Sequence, residues 1–155
     1  LSNASQSTSY VTATSSSAFS VTSSMNSGSR TYFAYLFAEK EGFSKFGQYT
    51  GNNSADGPFI QCNFQPRWFW IKRVDSTGNW EVRDTERDTV NPLDSTILFD
   101  SNTTEASSAA SSAYPVDVCS NGLKIRTTSA NYNASSGTYI FGAFADIPFK
   151  YNNTF

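Results

Sequence analysis

The chain reads as an all-β protein, an antiparallel β-sandwich of jelly-roll-like kind, and three observations lead there. Thirteen Phe, eight Tyr and three Trp supply the apolar mass while methionine occurs once, at Met25. Aromatic residues set among Ser, Thr and Asn favour strands and turns over helices. Short runs of period-two alternation recur between turns bearing Gly, Asn, Asp or Pro. A segment also comes back: Thr31-Tyr-Phe-Ala-Tyr-Leu-Phe-Ala-Glu39 returns as Thr138-Tyr-Ile-Phe-Gly-Ala-Phe-Ala-Asp146, the signature of a repeated structural unit.

The recurrence extends backwards, Ser17-Ala-Phe-Ser-Val21 answering Asn121-Gly-Leu-Lys-Ile125 and Leu1-Ser-Asn-Ala-Ser5 answering Leu98-Phe-Asp-Ser-Asn102. Each copy is therefore expected to carry a short half-buried strand, a polar turn and a longer aromatic strand. Over residues 31–38 both parities are apolar: Tyr32, Ala34, Leu36 and Ala38 share one, Phe33, Tyr35 and Phe37 the other. That pattern predicts a strand buried between layers. Residues 1–38 are expected to be the C-terminal strands of a preceding repeat packed on the main domain, 39–150 one complete repeat, and 151–155 a tail.

The remaining elements follow in order. Residues 41–51 predict a strand with a bend or bulge near Gly47, because Gly42, Gly47 and Gly51 speak against a helix. The Asn-, Ser-, Asp-, Gly- and Pro-bearing stretch 51–58 makes a loop. Residues 59–64 alternate as a strand expected to stop at Pro66. The clearest hairpin runs over 67–74 and 80–84 around Asp75-Ser-Thr-Gly-Asn79. On its return arm Trp80 and Val82 point one way, and Glu81 and Arg83 the other, towards an expected wet face. Residues 85–96 are charged and hold Asn91-Pro92, predicting a surface excursion. A short strand is expected at 97–99 and a loop over 101–112, where no apolar face exists to bury.

Composition narrows the chemistry. The absence of histidine removes the commonest general base and transition-metal ligand. A net charge of −2 without a run of either sign suggests neither a nucleic-acid groove nor a polybasic membrane patch. No apolar run has the length of a membrane span, so membrane insertion is not expected. Cys62 and Cys119 allow one disulfide, but their spacing does not require it.

Each candidate site has an ordinary alternative. Asp84, Glu86 and Asp88 alternate as a glycosidase pair would demand, yet beside Arg83 and Arg87 they read as a charge-balanced edge. Asp75, Asn79, Asp56, Asn52 and Asn53 offer oxygen ligands for calcium, but their spacing matches no metal loop, so no metal or cofactor is expected. Trp68 and Trp70 share parity and could stack on sugar rings, with Asn52, Asn53, Asp75 and Asn79 as hydrogen-bonding companions; the alternative is a central strand with both faces covered. Sequons begin at Asn3, Asn52, Asn102, Asn133 and Asn152, as chance provides in such a composition.

In sequence order, Glu41-Gly-Phe-Ser-Lys-Phe-Gly-Gln-Tyr-Thr-Gly51, Asp56-Gly-Pro-Phe59, Pro66-Arg-Trp68, Ile71-Lys-Arg73, Asp75-Ser-Thr-Gly-Asn-Trp80, Asn121-Gly-Leu-Lys-Ile-Arg126 and Gly137-Thr-Tyr-Ile-Phe-Gly-Ala-Phe-Ala-Asp-Ile-Pro-Phe-Lys150 resemble a repeat domain of tail-fibre and related virion proteins of tailed bacteriophages. Cys62, Phe69 and Trp70 depart from that pattern. The resemblance implies tandem occurrence, often after a lectin-like sandwich, and assigns no catalytic residue. The expected function is that of a non-enzymatic structural and adhesive module in a tail fibre or tail-tip assembly, located in the virion and assembled in the host bacterial cytoplasm. Its expected partners are other virion proteins and copies of itself, a homotrimer among the arrangements symmetry allows. The rival readings are a carbohydrate-binding module for host surface glycans and a capsid decoration protein.

Overall fold

Strands form where aromatic and β-branched residues alternate, and the computed structural model describes them over residues 4, 10–26, 28, 31–93, 95–105 and 114–146. The tail expected at 151–155, the sequons at Asn3 and Asn152, and most of the loop expected over 101–112 lie outside the described residues. The chain divides into two compact units, residues 6–38 and the remainder.

In the larger unit, β3 (Ser44–Thr50), β4 (Phe59–Gln61), β5 (Pro66–Arg73), β6 (Trp80–Asp84), β7 (Ile97–Leu98), β8 (Val116–Cys119), β9 (Gly122–Ile125) and β10 (Thr138–Ala145) make two antiparallel sheets. One has the order β3-β10-β5-β6-β7 and the other β4-β9-β8. Their facing sides share one core. Phe69 and Ile71 of β5 and Tyr139, Phe141 and Ala143 of β10 meet Ile60, Val116, Leu123 and Ile125 from the smaller sheet. Burying a side chain of Phe, Ile or Leu size contributes about 1.5–3 kcal/mol, so this shared layer joins the sheets into a sandwich. The all-β antiparallel class is as expected, and the only α-helix among the described residues is the single turn α1 (Ala130–Asn133), capped by the Ser129 side chain.

Several local expectations are corrected. β3 pairs with β10 over seven consecutive partners without a register shift, so no bulge occurs at Gly47. Gly47 instead leaves room for its partner's ring, a Cβ there lying 3.0 Å from Phe141 Cε1. β4 ends at Gln61, short of the strand expected to Phe64, because Asn63 takes a left-handed conformation with φ 66. Pro66 opens β5 rather than closing a strand, at the place where pairing with Ala145 shifts register. Glu81 and Arg83 face the core, 2% and 0% exposed, because their partners across the ladder are Ile71 and Phe69. Residues 85–96 are not wholly a surface excursion. Leu93 and Thr96 are buried, Leu93 exchanges both backbone hydrogen bonds with Val116, and the Asn91 amide donates to Val118 O and accepts from Val118 N at 2.8 and 2.9 Å.

The smaller unit holds β1 (Val11–Thr14) and β2 (Phe19–Val21), an antiparallel hairpin. Its connection is tied by Ser15, whose hydroxyl accepts from Ala18 N at 3.0 Å. The strand expected over 31–38 is not formed: those residues lie outside every strand, and Phe33, Tyr35 and Leu36 are 87%, 79% and 74% exposed. A strand apolar on both faces needs a neighbour on each edge and a layer on each side. In the larger unit the corresponding residues have a strand on each edge, β3 and β5, and the core beneath one face.

Candidate functional site

The far face of the five-stranded sheet is aromatic. Even positions of β5 turn Trp68 and Trp70 away from the core, and Phe144 on β10 does the same beside them. Trp68 lies 5.3 Å from Phe144 and 6.1 Å from Phe99 between ring centroids, Phe46 5.5 Å from Phe144, and Trp70 5.3 Å from Trp80. Tilted and edge-on pairs of this kind add about 0.5–1.5 kcal/mol each beyond area burial. The Trp70 indole lies over β10 at Gly142, where a Cβ would sit 2.5 Å from Nε1. Trp68 and Trp70 are thus half-buried, each supported by other rings, while Phe99 is 47% exposed.

The other expected site residues lie in loops. Asn52 accepts from Ser54 N and donates to Asp56 O, closing its own turn. Asn53 has φ 54 and donates its backbone N–H to Asn133 O at 3.0 Å. Asn133, fully buried at the end of α1, receives Asn52 N at 2.7 Å and donates to Asn52 Oδ1, Ser54 O and Thr127 O at 2.8–3.0 Å. Asp75 is clamped by Arg73 through Nε at 2.8 Å and a second nitrogen at 3.3 Å. Arg73 holds that carboxyl below its usual range. Asn79 is half-buried in the same hairpin turn, where the Lys72 ammonium donates to Arg73 O and Gly78 O at 2.7 and 2.8 Å. The structure does not gather these loop residues around the two tryptophans: Asn52 and Asn53 are bound to Asn133, and Asp75 to Arg73.

The acidic candidates are engaged locally too. Asp84 accepts from the backbone of Glu86 and Arg87 and pairs with Arg87 Nε at 2.6 Å, Glu86 pairs with Arg67, and Asp88 accepts from Ser95 N and Oγ. Asp56 bonds Lys124 Nζ at 2.7 Å, which keeps its carboxyl low. Among the described residues no three Cys, Asp or Glu side chains are grouped to hold a metal ion. Both cysteines are free thiols, and burial pushes Cys62 up to about 11. Of the sequons, Asn133 has its side chain fully buried.

Sequence reasoning missed a buried polar cluster. Glu81 accepts from Thr96 Oγ1 at 2.9 Å, Asn131 Nδ2 at 3.0 Å and Tyr132 Oη at 3.3 Å. Arg83 donates through Nε to Tyr132 Oη at 3.0 Å and through Nη1 to Leu93 O, its guanidinium 5.1 Å from the Tyr132 ring centroid. Burial raises the Glu81 carboxyl above its usual range against the pull of these partners, and raises the Tyr132 phenol as well. The cluster ties β6, the approach to β7, and α1 together. Nearby, a shallow depression of ≈ 490 Å³ is lined by Tyr114, Pro115, Arg126, Thr127 and Ser129, with Arg126 already bound to Asp117 at 2.6 Å.

A family model described as a domain of unknown function, DUF7483, matches residues 1–148. No curated protein and no solved structure matches the chain.

Proposed function

The chain belongs to the DUF7483 family, and from that premise we propose that it is a non-enzymatic structural and adhesive module of a tailed-bacteriophage particle, in a tail fibre or tail-tip assembly. The observation that carries this reading is a recurrence in the order of segments. The β1–β2 hairpin followed by residues 31–38 repeats the order of β8–β9 followed by β10, the mark of a repeated structural unit. An almost neutral surface rich in hydroxyls suits close stacking, and its partners are other virion proteins and laterally related copies of the chain. The resemblance to phage repeat domains supplies the particle. Reconstruction of phage particles with labelled chain tests it: label along the tail supports the reading, label on the capsid moves the module to head decoration, and particles without the chain refute it.

The half-exposed rings of Trp68 and Phe99 favour one second reading, recognition of host surface glycans by stacking. A glycan array probed with the chain and with Trp68→Ala decides. Retention of one sugar class that is lost in the variant establishes glycan binding.

A further inference from the structure

The β1–β2 hairpin and residues 31–38 follow one another as β8, β9 and β10 do, yet side chains of theirs stand open where those of β8–β10 are core. Val116 of β8 and Leu123 of β9 are fully buried in the larger unit, whereas Val11 of β1 and Phe19 of β2 are 53% and 43% exposed. Tyr139, Phe141 and Ala143 of β10 are core; Phe33, Tyr35 and Leu36 stand 87%, 79% and 74% exposed. Deepening the tandem reading on which it rests, we infer that residues 31–38 are the closing strand of a second sandwich body of this same repeat type, one that carries a small residue where this chain has Trp70.

The alignment of 31–38 on 138–145 fixes the shape of that partner. On the core face Phe141 and Ala143 become Ala34 and Leu36. A ring moves out at one position and an isobutyl group moves in two residues on, an exchange that roughly keeps volume and that cores tolerate well. On the far face Ile140, Gly142 and Phe144 become Phe33, Tyr35 and Phe37. Here the two copies differ in kind, because even a Cβ at 142 would lie 2.5, 2.6 and 2.7 Å from three atoms of the Trp70 indole. A tyrosine cannot lie beneath that ring. The larger unit of a second copy is therefore the wrong receiver, and a body with Ala, Gly or Ser opposite Tyr35 is the right one. Edge-to-edge strand addition then supplies backbone hydrogen bonds on both sides, and the far-face pocket supplies the choice between bodies.

The test is a tandem chain in which residues 39–113 precede residues 10–155, so that β1, β2 and 31–38 fall where β8, β9 and β10 fall in the complete body. It is made with Trp70 or with Trp70→Ala in the leading segment, and hydrogen exchange is read at amides 33–36. With the Ala receiver, exchange is expected to slow about 100-fold or more relative to the unmodified chain, and with Trp70 it is expected to stay unchanged. No slowing with the Ala receiver, or equal slowing with both, overturns the inference. A second measurement guards against a leading segment that fails to fold: in the unmodified full chain, residues 140–143 are replaced by the Phe-Ala-Tyr-Leu of 33–36. Cooperative unfolding should be lost and should return on adding Trp70→Ala; loss in both backgrounds refutes the strand assignment. Concentration-dependent slowing at 33–36 in the unmodified chain would make a second copy the occupant and overturn the choice of partner. None of these readouts depends on where the chain sits in a particle, so their failure is separable from failure of the virion reading.

Discussion

Gly142→Ala isolates the contact between β10 and the Trp70 indole. The new methyl would lie 2.5 Å from Nε1 and 2.6–2.7 Å from two ring carbons, well inside any van der Waals separation. Trp70 has little freedom to withdraw, since its ring packs 5.3 Å from Trp80 on β6. Overfilling of this kind costs about 1–3 kcal/mol. Against it, alanine in a strand is favoured over glycine by about 0.5–1 kcal/mol. The expected net loss is about 0.5–2 kcal/mol, a fall in Tm of roughly 2–4 °C for each kcal/mol in a domain of this size. In a Trp70→Ala background the clash disappears and the same substitution should stabilise by about 0.5–1 kcal/mol. The two changes are therefore coupled by about 1–3 kcal/mol, the size of the clash itself. Urea unfolding followed by far-UV circular dichroism measures all four corners of the cycle without relying on the altered tryptophan. Equal destabilisation by Gly142→Ala in both backgrounds would refute the packing argument.

Arg83→Met removes the bonds to Tyr132 Oη and Leu93 O together with the charge that favours the ionised Glu81 carboxylate, and should cost about 1.5–3 kcal/mol. Burial already raises the Glu81 pKa, so the folded state binds its proton over a window reaching above the unfolded value. The stability it contributes is complete below that value and declines as pH rises through the folded one. The Arg83→Met penalty should accordingly shrink as urea midpoints are measured at falling pH, and a penalty that grows on acidification would contradict the assignment. Asn133→Ala removes three hydrogen bonds holding the 51–58 loop and one to Thr127 O and should destabilise by about 2–3 kcal/mol; an unchanged denaturation midpoint would show that the loop holds itself. With Cys62 buried and its thiol pushed up to about 11, a thiol reagent at neutral pH should label Cys119 first and reach Cys62 only on unfolding, as mass spectrometry of the labelled peptides will read.

The sandwich was legible because alternation marks strands whatever their partners are. The Arg67-to-Asp84 hairpin, the loop over 51–58 and the short strand at Ile97 could all be read from local pattern. What escaped depended on the partner. Glu81 and Arg83 have the composition of a wet face, and only their register against Ile71 and Phe69 puts them inside, where Tyr132, Thr96 and Leu93 from other segments bond them. Gly47 suggested a bulge because a glycine's local meaning is flexibility, whereas its use here is to clear space for Phe141. Conversely, β8 carried its own alternation in Val116-Asp-Val-Cys119, a signal short enough to pass unread. Of the expected binding residues, Trp68 and Trp70 lie on a half-open face, but the side chains of Asn52 and Asp75 are committed to holding their own turns. Polar residue type alone does not reveal that commitment.

The Asn91 amide and the Leu93 backbone bonded along β8 have a consequence for assembly. An outermost strand with free N–H and C=O groups accepts any other strand, in any register, from any chain it meets. Where many copies are held at high local concentration, such an edge would be a route to tangled, irreversible pairing. By presenting one side-chain amide as a counterfeit peptide group, Asn91 occupies both hydrogen-bonding positions of Val118, and Leu93 occupies those of Val116. That margin of the smaller sheet is closed to strangers. On that margin, contact with any neighbour is left to side chains, which can tell one surface from another.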